Sequence, residues 1–440
     1  MLSEKAKKVF EEPQLHVEDI QADKFQQQID YIFQHSEFYR EKFQKAGIER
    51  ENIQSLNDLK KLPFTYKDEI RASQKKAPPL GTHAAADMED IVRIHSSSGT
   101  TGRPTYTGIT RQDYDVWTEM LARVCYTHGI RQDSKVVFAM GLSFFVGSAM
   151  KDGIERLGAT FIPIGTGASD RVVRSIIDFQ ADVLFCTPSY ATYLAEFVKK
   201  NYGMHPSELG LKLMSVGGEP GGGLPEVRRK IESEWNCKVM EAMGNADMAP
   251  VLFSECPEQK GMHFIGADNV ICEIIDPETG EIVPESDHME GELVYTAINR
   301  ECVPLIRFRT RDLVQVDTTP CACGKKSFRL RCIGRTDDML IIRGVNVFPS
   351  AIKDVVNSFR PKTTGEIRIL LKEKPPLVNP PLPLKVEIAN GLSEREQEAL
   401  QKDVQAALRF KLFFTAEVEL VSEGSLPRFE MKAKLTERLY

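Results

Sequence analysis

Between residues 91 and 217 short apolar runs alternate with longer stretches of helical spacing, and no other feature restricts the chain as much. Ile91, Val92 and Ile94, then Lys135 to Met140, Thr160 to Pro163, Val183 to Phe185 and Leu211 to Val216 read as strands, the second of them buried. Residues 111–128, 152–157 and 170–179 fall between them with helical spacing. Strands separated by helices join through crossovers, so the spacing predicts an α/β fold with mostly parallel sheets. Ligands of such sheets bind beyond the carboxyl ends of the strands. The turns at 95–105, Gly141 to Gly147, Thr187-Pro188 and Gly217 to Pro220 all follow strands.

The first of these turns reads His95-Ser-Ser-Ser-Gly-Thr-Thr-Gly-Arg-Pro-Thr105. Small side chains let backbone N–H groups approach an anion, and hydroxyls add further donors. Ser97, Ser98, Gly99, Thr100, Thr101 and Gly102, with the positive charge of Arg103, therefore suit a polyphosphate. The spacing is neither GxxxxGK[ST] nor GxGxxG.

A chain of 440 residues exceeds one core and implies two or three domains. A formal charge of −6 offers no basic footprint for nucleic acid. No apolar run is long enough to span a membrane, and the N-terminal residues lack the apolar core of a signal peptide. Nine cysteines spread through a large chain suit reduced thiols and a cytoplasmic location. Residues 20–46 read as one amphipathic helix, and the segment Leu62-Pro-Phe-Thr-Tyr-Lys-Asp-Glu-Ile-Arg71 reads as packing, without chemistry.

Cys321-Ala-Cys323-Gly324 puts two thiols in a tight turn, half of a tetrahedral zinc site. Cys256 and His263 upstream complete a Cys3His set. Four protein ligands would leave no open position, so the role would be structural. Free thiols beside a polar histidine are the other reading. The remaining cysteines (125, 186, 237, 272, 302 and 332) lie mostly in apolar surroundings and read as core.

The loop Ser96 to Thr105 resembles the phosphate loop of the adenylate-forming acyl-CoA ligases. The turn Ser215-Val-Gly-Gly-Glu-Pro220, the segments Gly291 to Thr296 and Pro304 to Asp312, and Ile333-Gly-Arg-Thr-Asp-Asp338 running on to Pro349 resemble the phenylacetate-CoA ligase branch. The tail Leu426-Pro-Arg-Phe-Glu-Met-Lys432 is similar to that branch's Leu-Pro-Arg-x-Glu-Gly-Lys loop, with Met431 in place of the glycine.

That resemblance implies a large N-terminal adenylate-forming domain over residues 1–334, a hinge at 335–338 and a small mobile α+β C-terminal domain over 339–440. It implies an ATP-dependent aryl- or arylacetate-CoA ligase that joins a small aromatic carboxylic acid to coenzyme A through an acyl-adenylate. Lys432 would bridge the acyl carboxylate and the α-phosphate; Lys434 is its near competitor. Gly218, Glu219, Met243, Gly244, Asp312 and Arg335 would contact the nucleotide, with Asp312 on the ribose after the end of a strand. Asp337 would be the hinge residue and Gly344 would lie by the pantetheine channel.

The acyl pocket would be formed by Met140, Gly141, Phe144, Phe145, Gly217 and Ala246, with flat and polarizable walls. Residues 239–247 depart from the branch's aromatic-Gly-x-Ser/Thr-Glu pattern at three places. Met243 replaces the aromatic, Ala246 the hydroxyl and Asp247 the glutamate, and Asp247 remains able to hold Mg²⁺ through oxygen. The Cys256, His263, Cys321 and Cys323 set resembles that of zinc-bearing members. Two other activities stay open: transfer of the acyl group to a carrier protein or an amine, and nucleotide binding without ligation. Relatives are often dimers, and the oligomeric state is not readable in the sequence.

Overall fold

The computed structural model describes residues 17–97, 105–142, 144, 146–219, 221–336, 338–342, 345–428 and 434–440. By contact the chain divides into two units, one of Met1–Phe185, Met240–Arg311 and Gln315–Arg331, the other of Cys186–Val239, Asp312–Val314 and Cys332–Tyr440. Residues 186–239 thus group with the C-terminal residues.

The described residues of the first unit open with two helices where one was expected, Val17–His35 and Glu37–Lys45. Ser36 leaves the helical region (φ −105°, ψ 110°), and its hydroxyl accepts the Tyr39 N–H at 3.5 Å. A serine at that point satisfies an orphan donor of the new helix. The break lets Phe25, Ile29 and Ile32 meet Tyr39 and Phe43 in one cluster with Ile53, Leu59, Leu62, Ile298 and Ile306. The Tyr39 hydroxyl accepts the Ile306 N–H at 2.9 Å, so its polar end is satisfied at full burial.

The expected parallel strands form in the same unit. Lys135–Phe138 pairs in parallel with Thr160–Pro163 on one side and Val183–Cys186 on the other. The helices Arg111–Thr127, Met150–Leu157 and Ser169–Phe179 fill the connections. Thr110 and Asp113 form a capping box at the start of the first of these. Ala249–Glu255 pairs antiparallel with Lys238–Asn245 and with Met262–Phe264, and Val270–Ile275 pairs antiparallel with His288–Ala297, so the fold is mixed α/β. Neighbours there run Val270–Ile275, His288–Ala297, Phe308–Asp317, Arg329–Arg335, Met262–Phe264, Ala249–Glu255, Lys238–Asn245.

In the second unit the strand Leu213–Gly217 and the helices Pro188–Tyr202 and Pro225–Trp235 form one part. Trp235 is fully buried and its indole N–H donates to Ala191 O at 3.1 Å. The C-terminal part has a four-stranded sheet in the order Ala416–Val421, Leu382–Ile388, Thr363–Leu371, Thr436–Arg438. Helices Pro349–Asn357 and Glu394–Leu412 pack on it through Ile352, Val356, Leu400, Val404 and Leu408. The Ser393–Glu396 capping box forms as its spacing predicts. Leu377–Val378, within the proline-rich stretch 375–383, pairs in parallel with Leu340–Ile342. No helix among the described residues is long and apolar enough to cross a membrane.

Candidate active site

The strands Ile91–Ser96 and Tyr106–Thr110 run antiparallel with Ser96 opposite Tyr106, which brings Ser97 and Thr105 face to face. Ser97 N–H donates to Thr105 O at 2.9 Å, and Thr105 N–H returns to Ser97 Oγ at 3.1 Å. The candidate phosphate loop is thus flanked by a closed hydrogen-bonded neck. Ser98, Gly99, Thr100, Thr101, Gly102 and Arg103 lie outside the described residues.

Asp247 reaches this neck from a segment far along the chain. Its Oδ1 accepts the Thr105 hydroxyl at 2.5 Å, and its Oδ2 lies 2.6 Å from Lys67 Nζ. The Asp247 N–H donates to Asn245 Oδ1 at 3.0 Å, which fixes the turn. Gly244 precedes it where nothing larger fits, since an added Cβ would stand 2.1 Å from Pro250 O. Lys67 is the functional candidate that the sequence left unmarked. It opens the helix Lys67–Lys76 in a segment that reads as packing alone.

Of the acyl-pocket candidates, Met140, Gly141 and Ala246 are half-buried, as is the nucleotide candidate Met243, and Phe144 is 50% exposed. Phe144 O accepts the Ser96 N–H at 2.9 Å, and its ring lies 5.7 Å from that of Tyr106. An aromatic surface therefore borders the Ser97–Thr105 neck. Phe145 lies outside the described residues.

In the second unit, Gly217 ends its strand and Gly218 adopts φ +84°, the left-handed turn that glycine tolerates. Glu219 Oε1 accepts the Ser189 N–H at 2.8 Å, at the start of helix Pro188–Tyr202. Asp312 was expected after a strand and stands inside one, Phe308–Asp317. Arg311 before it holds φ +65°, a conformation that costs about 1–3 kcal/mol and persists only where the surroundings enforce it. Arg335 Nη1 donates to Asp312 Oδ1 at 2.6 Å, so two nucleotide candidates 23 positions apart form one pair. Asp337, Gly344 and Lys432 lie outside the described residues, and Lys434 is exposed.

The four sulfur and nitrogen candidates of the first unit come together. The ligand atoms of Cys256, His263, Cys321 and Cys323 all lie within 4.8 Å of one another. Cys256 Sγ is 3.7 Å from Cys321 Sγ, and Cys323 Sγ is 3.3 Å from His263 Nε2. A tetrahedron with zinc–sulfur and zinc–nitrogen bonds of ordinary length has edges of about 3.6–3.8 Å. His263 Nδ1 lies 3.1 Å from Ser327 O, a pure acceptor, so Nδ1 carries the proton and Nε2 keeps its lone pair. Burial holds the His263 imidazole down to about 4, hence neutral, and pushes the Cys256 thiol up to about 12. A divalent cation would reverse the thiol's shift, and the donor set fits one.

Comparison with known proteins defines the class of enzyme that carries such a loop, carboxylates and two-part chain. Residues 14–299 match the model of the AMP-binding enzymes, and residues 344–436 match that of the AMP-binding enzyme C-terminal domain. The chain is 32% identical over 436 residues to a phenylacetate-coenzyme A ligase of Thermus thermophilus, covering 95% of both chains. It is 34% identical over 416 residues to the enzyme of that name from Pseudomonas putida, covering 94% of this chain and 92% of the other. Among solved structures it matches a 2-hydroxyisobutyryl-CoA ligase in the postadenylation state with bound R3-HIB-AMP. That match has a TM-score of 0.89 at 31% identity and covers 97% of this chain and 90% of that one. The chain belongs to the phenylacetate-CoA ligase family of AMP-binding enzymes.

Proposed function

We infer that this protein is an AMP-forming acid–CoA ligase that converts a small carboxylic acid, ATP and coenzyme A to acyl-CoA, AMP and pyrophosphate. In the first half-reaction a carboxylate oxygen of the acid bonds to the α-phosphorus, and the bond to pyrophosphate breaks. In the second, the CoA thiol attacks the acyl carbonyl, loses its proton and expels AMP. The observation that carries this reading is the Thr105–Asp247 contact at 2.5 Å, which ties a buried carboxylate to the neck of the phosphate loop.

The residues act on charge and position. The hydroxyls and N–H groups of residues 97–103 hold the phosphates, with Arg103 adding charge. Asp312 accepts from the ribose hydroxyls while Arg335 keeps its carboxylate oriented. Lys432 bridges the carboxylate and the α-phosphate, where negative charge gathers in the transition state. Mg²⁺ held by Asp247 would offset phosphate charge. The small C-terminal domain, turning about Asp337 between the half-reactions, would withdraw Lys432 and open the pantetheine channel beside Gly344. Cys256, His263, Cys321 and Cys323 would hold a structural Zn²⁺.

The half-exposed Phe144 beside Tyr106, with Met140 and Met243, supports an aromatic acid. The likeness to a 2-hydroxyisobutyryl-CoA ligase favours a second reading, a small aliphatic hydroxy acid. Pyrophosphate release with aryl, arylacetic and hydroxy acids, with and without CoA, tests both and also a carrier-protein acceptor. Lys432→Ala is expected to abolish acid-dependent pyrophosphate release without loss of fold. An unchanged rate refutes the assigned role. A cytoplasmic homodimer completes the reading, and sedimentation of the purified protein tests the dimer.

A further inference from the structure

Lys67 and Asp247 lie 180 positions apart in sequence and 2.6 Å apart in space. The Asp247 side chain is only 6% exposed, and burying a carboxylate so far is costly unless a counter-charge or hydrogen bonds meet it. Both its oxygens are engaged, Oδ1 by the Thr105 hydroxyl and Oδ2 by the Lys67 ammonium. A metal ion can approach this carboxylate only alongside that ammonium or in its place.

The position of Lys67 is itself unfavourable in its own helix. Residue 67 is the first of helix Lys67–Lys76, where the exposed N–H groups carry partial positive charge and acidic side chains are preferred. Asp68 and Glu69 follow that preference, and Lys67 does not. The helix does not hold the ammonium there; Asp247 does. At 26% exposure the Lys67 side chain also has a route toward solvent or a ligand, whereas Asp247 has almost none.

We propose that Lys67 is the resident counter-ion of Asp247 and gives up the carboxylate to a divalent cation when nucleotide arrives. The proposal rests on the reading of Asp247 as the metal ligand. A bare divalent ion must enter against a positive charge roughly 4 Å away, which opposes binding even in a partly screened site. An ion arriving with ATP brings phosphate oxygens that can accept the displaced ammonium. Metal binding thereby becomes conditional on nucleotide. The same exchange delivers a second cation to the triphosphate, in a segment where Ala246 has removed a hydroxyl donor.

Mn²⁺ alone serves as the probe, with free ion counted by electron paramagnetic resonance in the absence and presence of ATP. The wild-type protein is expected to bind Mn²⁺ weakly without nucleotide. Lys67→Met and Lys67→Gln are expected to bind it about ten-fold or more tightly without nucleotide. The glutamine retains a donor toward Asp247, which keeps the test open if the methionine variant does not fold. Lys67→Arg, which keeps the charge, is expected to stay near wild type. Wild-type Mn²⁺ affinity in both neutral variants, or equal tightening in Lys67→Arg, overturns the proposal. Asp247→Asn separates the two layers of the argument. Loss of Mn²⁺ binding in that variant upholds the metal ligand whatever Lys67 does, and unchanged binding removes both readings together.

Discussion

Arg428 grips Glu387 through two parallel hydrogen bonds, Nη2 to Oε1 at 2.6 Å and Nη1 to Oε2 at 3.0 Å, and Glu387 has no exposed surface. The same carboxylate accepts the Leu426 N–H and the Thr364 hydroxyl, each at 2.9 Å. The segment that leads to Lys432 is thus pinned by a charge-assisted fork. Arg428→Ala would leave a buried carboxylate without its cation, at a cost of about 3–5 kcal/mol. The expected outcome is a clear drop in the denaturant midpoint and a loss of adenylation rate. Arg428→Lys should recover only part of either, because an ammonium cannot match both oxygens.

Stability should fall on acidification in two stages. Burial holds His128 down to about 4 from its ordinary value of 6.5. The unfolded chain therefore takes up that proton first, and this contribution, complete above about 6.5, is lost as pH falls toward about 4. Burial opposes ionisation of Glu387, but Arg428, Leu426 and Thr364 outweigh it and hold the group below its ordinary 4.5. Its contribution is present above that value and disappears as pH falls further. Denaturant titration between pH 8 and roughly 3.5 checks both stages. His128→Gln should flatten the upper stage by up to about 3 kcal/mol.

Protein purified without chelator is expected to carry close to one zinc ion per chain, measured by elemental analysis. A strong chelator, or His263→Ala, should lower the unfolding temperature and leave ATP affinity nearly unchanged, because a closed four-ligand site supports the fold and not the chemistry. Zinc-free protein of unaltered stability would favour free thiols.

Asp312→Asn keeps the shape of the side chain and removes its charge. The pair with Arg335, 2.6 Å long, weakens, and so would the ribose contact proposed for this carboxylate. A hydrogen bond to a charged group contributes about 1.5–3 kcal/mol, so the KM for ATP should rise by about ten-fold or more. The acid's KM should move much less. Equal increases for both substrates would argue for general distortion of the strand.

Much of the architecture was legible because its signals are local. Leu400, Val404 and Leu408 recur at helical spacing and are buried, and the Ser393–Glu396 box marks the start of that helix. The alternation over 91–217 announced parallel pairing, which Lys135–Phe138 makes with strands on both sides. Cys321 and Cys323 declared half of a cluster by themselves. Ser36 is an ordinary polar residue in a helical pattern, and its capping role becomes visible only when Phe25 and Tyr39 need one core.

Periodicity, capping and motif spacing act over a few neighbouring positions, so the chain alone disclosed the main helices, the parallel strands, the family and the residue types of each candidate site. Tertiary structure alone decided which charges became partners. Lys67 with Asp247 and Arg335 with Asp312 are joined across long intervals of chain. No local preference selects such pairs. Burial selects them, since a carboxylate removed from water takes whichever cation the packed fold brings within reach.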